Sequence, residues 1–329
     1  MKAIQVHEFG GPEVLKLGDV ADPQPGPGEL VIKVEAIGVN PVDTYIRAGS
    51  HAMRPAFPYV PGSDAAGSVE AVGEAVSAFQ PGDRVYAAGS VRGSWNDCYA
   101  ERLLRRADQV FALPEGVSFA QGSALGVPYG TAYRALFQRA GARAGETILV
   151  HGASGAVGTA ALQLAASHGM TAIGTAGSER GCDLVEAQGA HVLDHTADGY
   201  LDSVAELCGG KGPDVILEML ADVNLANDME VAGHGGRIVV IGNRGAIEIN
   251  ARVAMMKDLD IRGMALPNTP DEAMAEIHTA LGRGLAAGEL NRSSASRCRW
   301  PRRPWLTSRC WSQAPTARSC CCPRADLSR

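Results

Sequence analysis

The stretch of this chain best equipped for chemistry is Thr147-Ile148-Leu149-Val150-His151-Gly152-Ala153-Ser154-Gly155-Ala156-Val157-Gly158, running into Thr159-Ala160-Ala161-Leu162-Gln163-Leu164-Ala165-Ala166. A short apolar, β-favouring run reads as a buried strand, a glycine-punctuated turn follows, and an apolar pattern at helical spacing comes next. Gly152, Gly155 and Gly158 let the backbone turn tightly, approach a pyrophosphate, and pack the new helix against the strand. The helix N-terminus adds N–H groups and the positive end of a dipole for a phosphate, with Ser154, Gly155, Ala156 and Val157 as the candidate cofactor-binding residues. Ala153 and Ser154 lie between the first two glycines, so the spacing is a variant of G-x-G-x-x-G. A glycine-rich turn without a ligand is the competing reading, and the strand–turn–helix context favours a dinucleotide site.

The next strand bears on which dinucleotide. NAD enzymes usually carry an acid here for the ribose hydroxyls. This strand ends instead in Gly174-Thr175-Ala176-Gly177, followed by Ser178-Glu179-Arg180. A small, open end with Gly177, Ser178 and Arg180 beside it suits a 2′-phosphate, which favours NADPH over NADH. Glu179 points the other way if the strand runs longer than drawn.

These residues need a framework. Residues 1–125 hold short β-like runs, among them Leu30–Ala36, Gly67–Val72 and Asp83–Ala87, separated by turn clusters such as Pro23-Gln24-Pro25-Gly26-Pro27-Gly28. That predicts a mostly β domain of the partly closed barrel kind. From Pro128 strands alternate with helical segments: Thr171–Ala176, Ala190–Asp194, Asp214–Glu218, Gly236–Gly242 and Ile261–Leu266 follow the first unit. Such alternation predicts an α/β fold with a doubly wound parallel sheet. Asp271–Leu290 reads as an amphipathic helix. The division expected is 1–125 with 266–291 for the β domain, and 126–265 for the dinucleotide domain.

At 329 residues the chain is too long for one ordinary core. No apolar run reaches membrane-spanning length, and Met1-Lys2-Ala3-Ile4-Gln5-Val6 starts as a strand rather than a signal peptide, so a cytoplasmic protein is expected. The net charge of −6 is uneven: residues 292–329 hold nine arginines, no lysine and one acid, Asp326, which leaves the rest strongly acidic. An acidic body argues against a broad nucleic-acid surface. Of eight cysteines, Cys98, Cys182 and Cys208 are scattered, while Cys298, Cys310, Cys320, Cys321 and Cys322 crowd the tail. They offer neither a zinc ribbon nor a plausible disulfide framework.

From about Arg292 the folding pattern stops. Arg299-Trp300-Pro301-Arg302-Arg303-Pro304-Trp305 has no strand or helix period, and Cys320-Cys321-Cys322 has no ligand logic. Back-translation with GC-rich codons, read from the third base of the Arg309 codon, can give V-L-E-P-G-A-Y-G-K-I-V-L-L-P. The same frame across Trp300–Thr307 can give A-E-A-A-L-A-H. These read as a helix, a turn and a buried strand. A frameshifted ending and a genuine basic, disordered tail are the two readings; the first predicts that residues 292–329 do not pack as a normal domain ending. Sequencing the gene across this region separates them.

The collected residues resemble the quinone oxidoreductases of the medium-chain dehydrogenase/reductase superfamily, in its ζ-crystallin-like, zinc-free branch. The resemblance rests on Glu8–Leu15, Gly38-Val39-Asn40-Pro41-Val42-Asp43-Thr44-Tyr45-Ile46-Arg47-Ala48-Gly49, Pro61–Gly67, Val150–Gly155, Glu218-Met219-Leu220-Ala221 and Gly242-Asn243-Arg244-Gly245. It covers residues 1 to about 291, and the shifted-frame peptide also looks like that family's ending. The resemblance implies a GroES-like catalytic domain beside a Rossmann NADPH-binding domain, with the nicotinamide in the cleft between them. The activity it implies is reduction of quinones or activated enones. It also implies a homodimer or homotetramer, with Ile261–Leu266 like the family's pairing edge strand. The branch includes structural proteins and binders of AU-rich RNA, so a non-catalytic, NADPH-binding role is the alternative. The acidic body weakens the RNA role.

Zinc-dependent relatives bind metal through Cys and His. Asn40 stands where the cysteine would be, and Gly62-Ser63-Asp64 where Gly-His-Glu would be. An amide cannot supply the thiolate of a tight zinc site, and the i,i+4 pair His191/His195 falls across a strand end, so no metal is expected. Without zinc, hydride donation to an already electrophilic acceptor is favoured over alcohol oxidation.

Further roles come from the resemblance. Tyr45 resembles a tyrosine near the nicotinamide, with a packing role as the alternative. Asn40 and Asp43 are assigned to polar lining of the substrate cleft, Asp43 being equally a turn residue beside Pro41. Thr131 resembles the residue facing the nicotinamide, with a helix N-cap as the alternative. His195 resembles a position near the adenosine phosphate, or is a surface histidine. Asn224, Ile241, Gly242, Asn243, Arg244, Met264, Ala265 and Leu266 resemble positions contacting the nicotinamide half, several through backbone. No general base stands out. Transfer rests on proximity and orientation, with the final proton from water or a hydroxyl such as that of Tyr45.

Overall fold

The computed structural model describes residues 1–88 and 96–291 and, in the tail, two short strands at Ser296–Arg299 and Ser319–Cys322. It divides into Met1–Val127 with Met274–Arg329, called unit 1, and Pro128–Ala273, called unit 2.

Unit 1 is built on strands whose alternating apolar residues face inward. Strands β1 (Lys2–Gln5) and β2 (Lys16–Asp19) form an antiparallel pair. The larger sheet is centred on the ten-residue β3 (Glu29–Gly38), followed by helix α1 (Pro41–Ala48) and strand β4 (Asp64–Val72). Strands β5 (Arg84–Ala88), β6 (Arg102–Arg106) and β7 (Val110–Ala112) complete the run, with helix α2 (Phe119–Gly122) after it. β3 pairs with β4, β4 with β5, and β5 with β7, all antiparallel. Ile4, Val6, Leu30, Ile32, Val34, Val69, Val85 and Leu103 share its core.

The outer side of β3 is covered in two halves. β6 pairs with Glu29–Lys33, and the tail strand Ser319–Cys322 takes the other end, with Cys320 opposite Gly38 and Cys321 opposite Ile37. Ser296–Arg299 pairs in parallel with that strand. Within residues 292–329, expected not to pack as a normal domain ending, these two segments pair as strands. A half-covered β3 is an open ladder edge that another extended segment satisfies. The rest of the tail lies outside the described residues.

Unit 2 is entered through α3 (Gly126–Tyr133). Its strands and helices then alternate: β8 (Thr147–Val150), α4 (Ala156–Ser167), β9 (Thr171–Ala176), α5 (Glu179–Glu186), β10 (His191–Asp194), α6 (Tyr200–Leu207), β11 (Val215–Glu218), α7 (Ala221–Val231), β12 (Arg237–Val240), α8 (Ala251–Lys257) and β13 (Asp260–Gly263). Every pairing in this sheet is parallel, in the order β10-β9-β8-β11-β12-β13. That is the Rossmann order, with its switch point between β8 and β11. Leu149, Ile173, Ile216 and Ile238 are fully buried, as strands covered on both faces require.

Several boundaries differ from expectation by one to four residues, and two of them have a clear local cause. The last strand ends at Gly263 rather than Leu266, because Pro267, which lacks an N–H, belongs to a 3-10 turn at Leu266–Asn268. Helix α9 (Asp271–Ala286) stops short of Leu290, and Gly288 follows with a φ of +73°. No helix among the described residues is long and apolar enough to cross a membrane.

Candidate functional site

Three glycines shape the turn after β8, each differently. Gly152 has a φ of +57°, in the left-handed region. A Cβ on Gly155 would lie 3.0 Å from the Gly152 carbonyl oxygen. One on Gly158 would lie 2.5 Å from Ala153 Cα and 2.7 Å from the carbonyl oxygens of Ala153 and Gly152, so only glycine lets α4 close on the turn. Thr175, fully buried on β9, braces it: its Oγ1 accepts from Gly152 N at 3.2 Å and its carbonyl from Ala153 N at 2.8 Å. In sequence Thr175 belongs to a small, open strand end; its hydroxyl turns inward to hold the loop. A buried threonine at a strand end is the signal that could have found it.

Gly155 is the N-cap of α4 and itself offers no side-chain cap, and the amides of Ala156, Val157 and Gly158 lie in the first turn, at the positive end of the helix. Around the ends of β8, β9 and β10 the structure gathers Ser154, Gly177, Ser178 and His195. A Cβ on Gly177 would sit 2.6 Å from His195 Nε2, and one on Gly181 would sit 3.0 Å from Ser178 Oγ and 3.3 Å from Ser154 Oγ. Gly177, Ser178, Glu179 and Arg180 are all exposed. Ser178 N-caps α5, its hydroxyl accepting from Gly181 N at 3.2 Å. Glu179 is the first residue of that helix, which puts it past the strand end rather than on it.

Across the switch point lie the residues expected near a nicotinamide. Asn224, in the first turn of α7, donates from Nδ2 to Glu218 Oε1 at 3.3 Å. Ile241 N and Gly242 N donate to the Glu218 carbonyl at 2.8 and 3.2 Å, and Ala221 N returns a bond to the Gly242 carbonyl at 2.9 Å. A Cβ on Gly242 would lie 2.1 Å from Met219 O, so glycine permits this approach. Asn243 Nδ2 donates to Gly245 O, and Arg244 N to Asp222 Oδ1. Met264 and Leu266 are buried, whereas Ala265 between them is exposed. Thr131 lies inside α3, 6% exposed, so the N-cap alternative is excluded. Gly130 beside it sits against Leu266.

Asn40, Asp43 and Tyr45 belong to unit 1. Tyr45 is 40% exposed on α1, which leaves both its place near a nicotinamide and its packing alternative open. Asp43, assigned to polar lining of the substrate cleft or to the turn beside Pro41, is 2% exposed and both its oxygens accept hydrogen bonds. Oδ1 accepts from Ser63 Oγ at 2.7 Å; Oδ2 accepts from Asn40 N at 2.9 Å and from Tyr99 OH at 3.0 Å. Burial pushes its carboxyl up to about 6 against these three bonds, which favour the ionised form. Asp43 therefore fixes the start of α1. Asp43→Asn leaves one donor facing an amide N–H₂, and we expect a loss of about 2–3 kcal/mol. A urea midpoint unchanged from the parent would contradict that role.

Asn40, likewise buried at 4%, donates from Nδ2 to Asp64 Oδ2 at 2.8 Å, and Val127 N donates to the same oxygen at 2.9 Å. Asn40, Ser63 and Asp64 are thus joined to partners by hydrogen bonds. They do not fit a zinc ion: the amide presents a donor, and the Ser63 hydroxyl is spent on Asp43.

Residues 156–281 match the family model described as "Zinc-binding dehydrogenase", and residues 26–133 that described as "Alcohol dehydrogenase GroES-like domain". The quinone oxidoreductase of Sus scrofa is 50% identical over 292 residues, 88% of each chain. That of Homo sapiens is 49% identical over 292 residues, again 88% of each. Among solved structures, the Escherichia coli quinone oxidoreductase complexed with NADPH is similar with a TM-score of 0.85 at 27% identity, over 98% of this chain and 100% of that one. The chain belongs to the quinone oxidoreductase family of the medium-chain dehydrogenase/reductase superfamily.

Proposed function

We propose that this protein is an NADPH-dependent oxidoreductase that reduces quinones or activated enones without zinc. The observation that carries the reading is the crevice end of unit 2, where the N-terminus of α4 and a glycine-shaped turn stand at the switch point of a Rossmann sheet. NADPH, when bound, supplies the hydride; the protein's contribution is to hold and orient. The amides of Ala156, Val157 and Gly158 take the pyrophosphate. Ser154, Gly177, Ser178, Arg180 and His195 take the adenosine phosphate side. Asn224 and the backbone of Ile241, Gly242, Asn243, Arg244, Met264, Ala265 and Leu266 take the nicotinamide half, with Thr131 beside them. An electrophilic quinone needs no Lewis acid, in keeping with the hydrogen-bonded Asn40, Ser63 and Asp64. The remaining proton comes from solvent or from an exposed hydroxyl such as that of Tyr45.

The 2′-phosphate assignment has its own test. Arg180→Ala removes one charge-assisted contact, so the preference for NADPH over NADH should narrow about tenfold. Binding isotherms for both cofactors measure this. An unchanged ratio would move the phosphate away from α5.

A further inference from the structure

Three ionisable side chains of unit 2 lie buried together and have no place in the reading above. His151 follows the last residue of β8, just before Gly152, Glu218 ends the neighbouring β11, and Asp228 reaches back from α7. Their exposures are 3%, 0% and 0%. His151 Nε2 lies 2.7 Å from Asp228 Oδ1 and 3.6 Å from Glu218 Oε2. Glu218 Oε1 accepts from Leu220 N and from Asn224 Nδ2. Glu218 Oε2 and Asp228 Oδ2 have no hydrogen-bond donor. One ligand atom from each of the three residues lies within 4.8 Å of the others.

Two carboxylates cannot both stay ionised at such a separation away from water, so a cation or a proton must sit with them. The geometry selects the proton. Two ligands of one tetrahedral zinc ion, each about 2.0–2.2 Å from it, sit about 3.3 Å apart, whereas the 2.7 Å between His151 and Asp228 is a hydrogen bond. We infer that His151, Glu218 and Asp228 form a proton-holding triad in which a proton on Glu218 bridges to Asp228, and that this proton positions the two loops flanking the switch point.

The bridge pairs both orphaned oxygens. It leaves Glu218 Oε1 free to hold Leu220 and Asn224, while the His151 ring anchors the start of the Gly152 turn to Asp228. Burial pushes Glu218 up to about 7, aided by its bond to Asp228 and the charge there, and opposed by His151 and the Leu220 N–H. Burial likewise raises Asp228, and the bond to Glu218 lowers it; the His151 ring nitrogen 2.7 Å from Asp228 Oδ1 suits an ionised Asp228, which places the proton of the pair on Glu218. The other ionisable group in the electrostatic environment of the pair, among the described residues, is Tyr200 of α6, which burial and both acids push up so that it stays neutral. Burial pushes His151 down, and it stays neutral as well.

Glu218→Gln replaces the bridging proton with a permanent amide donor and keeps the acceptor for Leu220. Two readouts follow, and the second rests on the NADPH reading above. Between the ordinary carboxyl value of 4.5 and about 7 the folded chain holds a proton that the unfolded chain lacks. Stability from this group is therefore greatest at low pH and lost as pH rises through 7, so the melting temperature of the parent should fall relative to Glu218→Gln from pH 5 to 8. Over pH 6.5 to 9 the parent's dissociation constant for NADPH should rise about fivefold, at the low end of coupling between sites, while that of the variant stays flat. Parallel melting curves or parallel binding curves would overturn the proposal, as would a stoichiometric metal ion removed by chelation with loss of stability. If NADPH fails to bind the parent at any pH, the cofactor reading falls, and so does the loop-positioning role; the melting comparison still decides whether the triad holds a proton.

Discussion

Gly158→Ala is expected to weaken NADPH binding about a hundredfold, the scale at which a displacement of about 1 Å disables a positioned site. The added methyl would meet only backbone: Ala153 Cα at 2.5 Å and the carbonyl oxygens of Ala153 and Gly152 at 2.7 Å. No side chain can rotate away to relieve this, so α4 or the turn must move, and the amides proposed to take the pyrophosphate move with them. Gly116→Ala is the matched control, since a Cβ there has no atom within 4 Å. Quenching of protein fluorescence by NADPH measures both. Equal affinity in Gly158→Ala and its parent would mean that the pyrophosphate does not lie on this helix.

Restoring the shifted frame after about Arg292 should raise stability by roughly 3–5 kcal/mol, the worth of a few aliphatic side chains moved from water into a core. The shifted reading places Ile-Val-Leu-Leu over the codons of Ser319–Cys322, the segment whose backbone pairs with Ile37 and Gly38 of β3. A strand inside a sheet is ordinarily an apolar run, and Ser-Cys-Cys-Cys is a poor one. We propose that this place in the sheet belongs to the shifted sequence. Urea unfolding of the two chains tests it: a clear upward shift in midpoint is expected, against a typical whole-fold margin of about 5–15 kcal/mol. A restored chain no more stable than its parent would return the tail to the status of a genuine one.

The parallel sheet was readable because each buried strand is a short apolar run between turn signals. Thr171–Ala176 was bounded correctly for that reason. The turn after β8 was readable from its glycines, whose roles are local and steric. Less legible was anything set by contacts across the sequence. Thr175 looks like a small residue at an open strand end, yet its register beside β8 turns the hydroxyl onto Gly152. Asp43 looks like a polar residue in a turn, but Ser63 and Tyr99, twenty and fifty-six positions away, close over it. The His151–Glu218–Asp228 group draws on two strand ends and a helix, and no spacing in the sequence announces it. The tail strand was missed because composition argues against folding, whereas the uncovered end of β3 offers backbone partners to almost any extended segment.

The most direct test of the account is oxidation of NADPH and NADH, side by side, by an ortho-quinone, using protein dialysed against a chelator. The account predicts that NADPH is consumed readily after chelation, that NADH is consumed much more slowly, and that added zinc changes neither rate. Folded protein that binds NADPH but never passes its hydride to the quinone would contradict it, and would favour a non-catalytic role. Activity lost on chelation and restored by zinc would contradict the zinc-free mechanism.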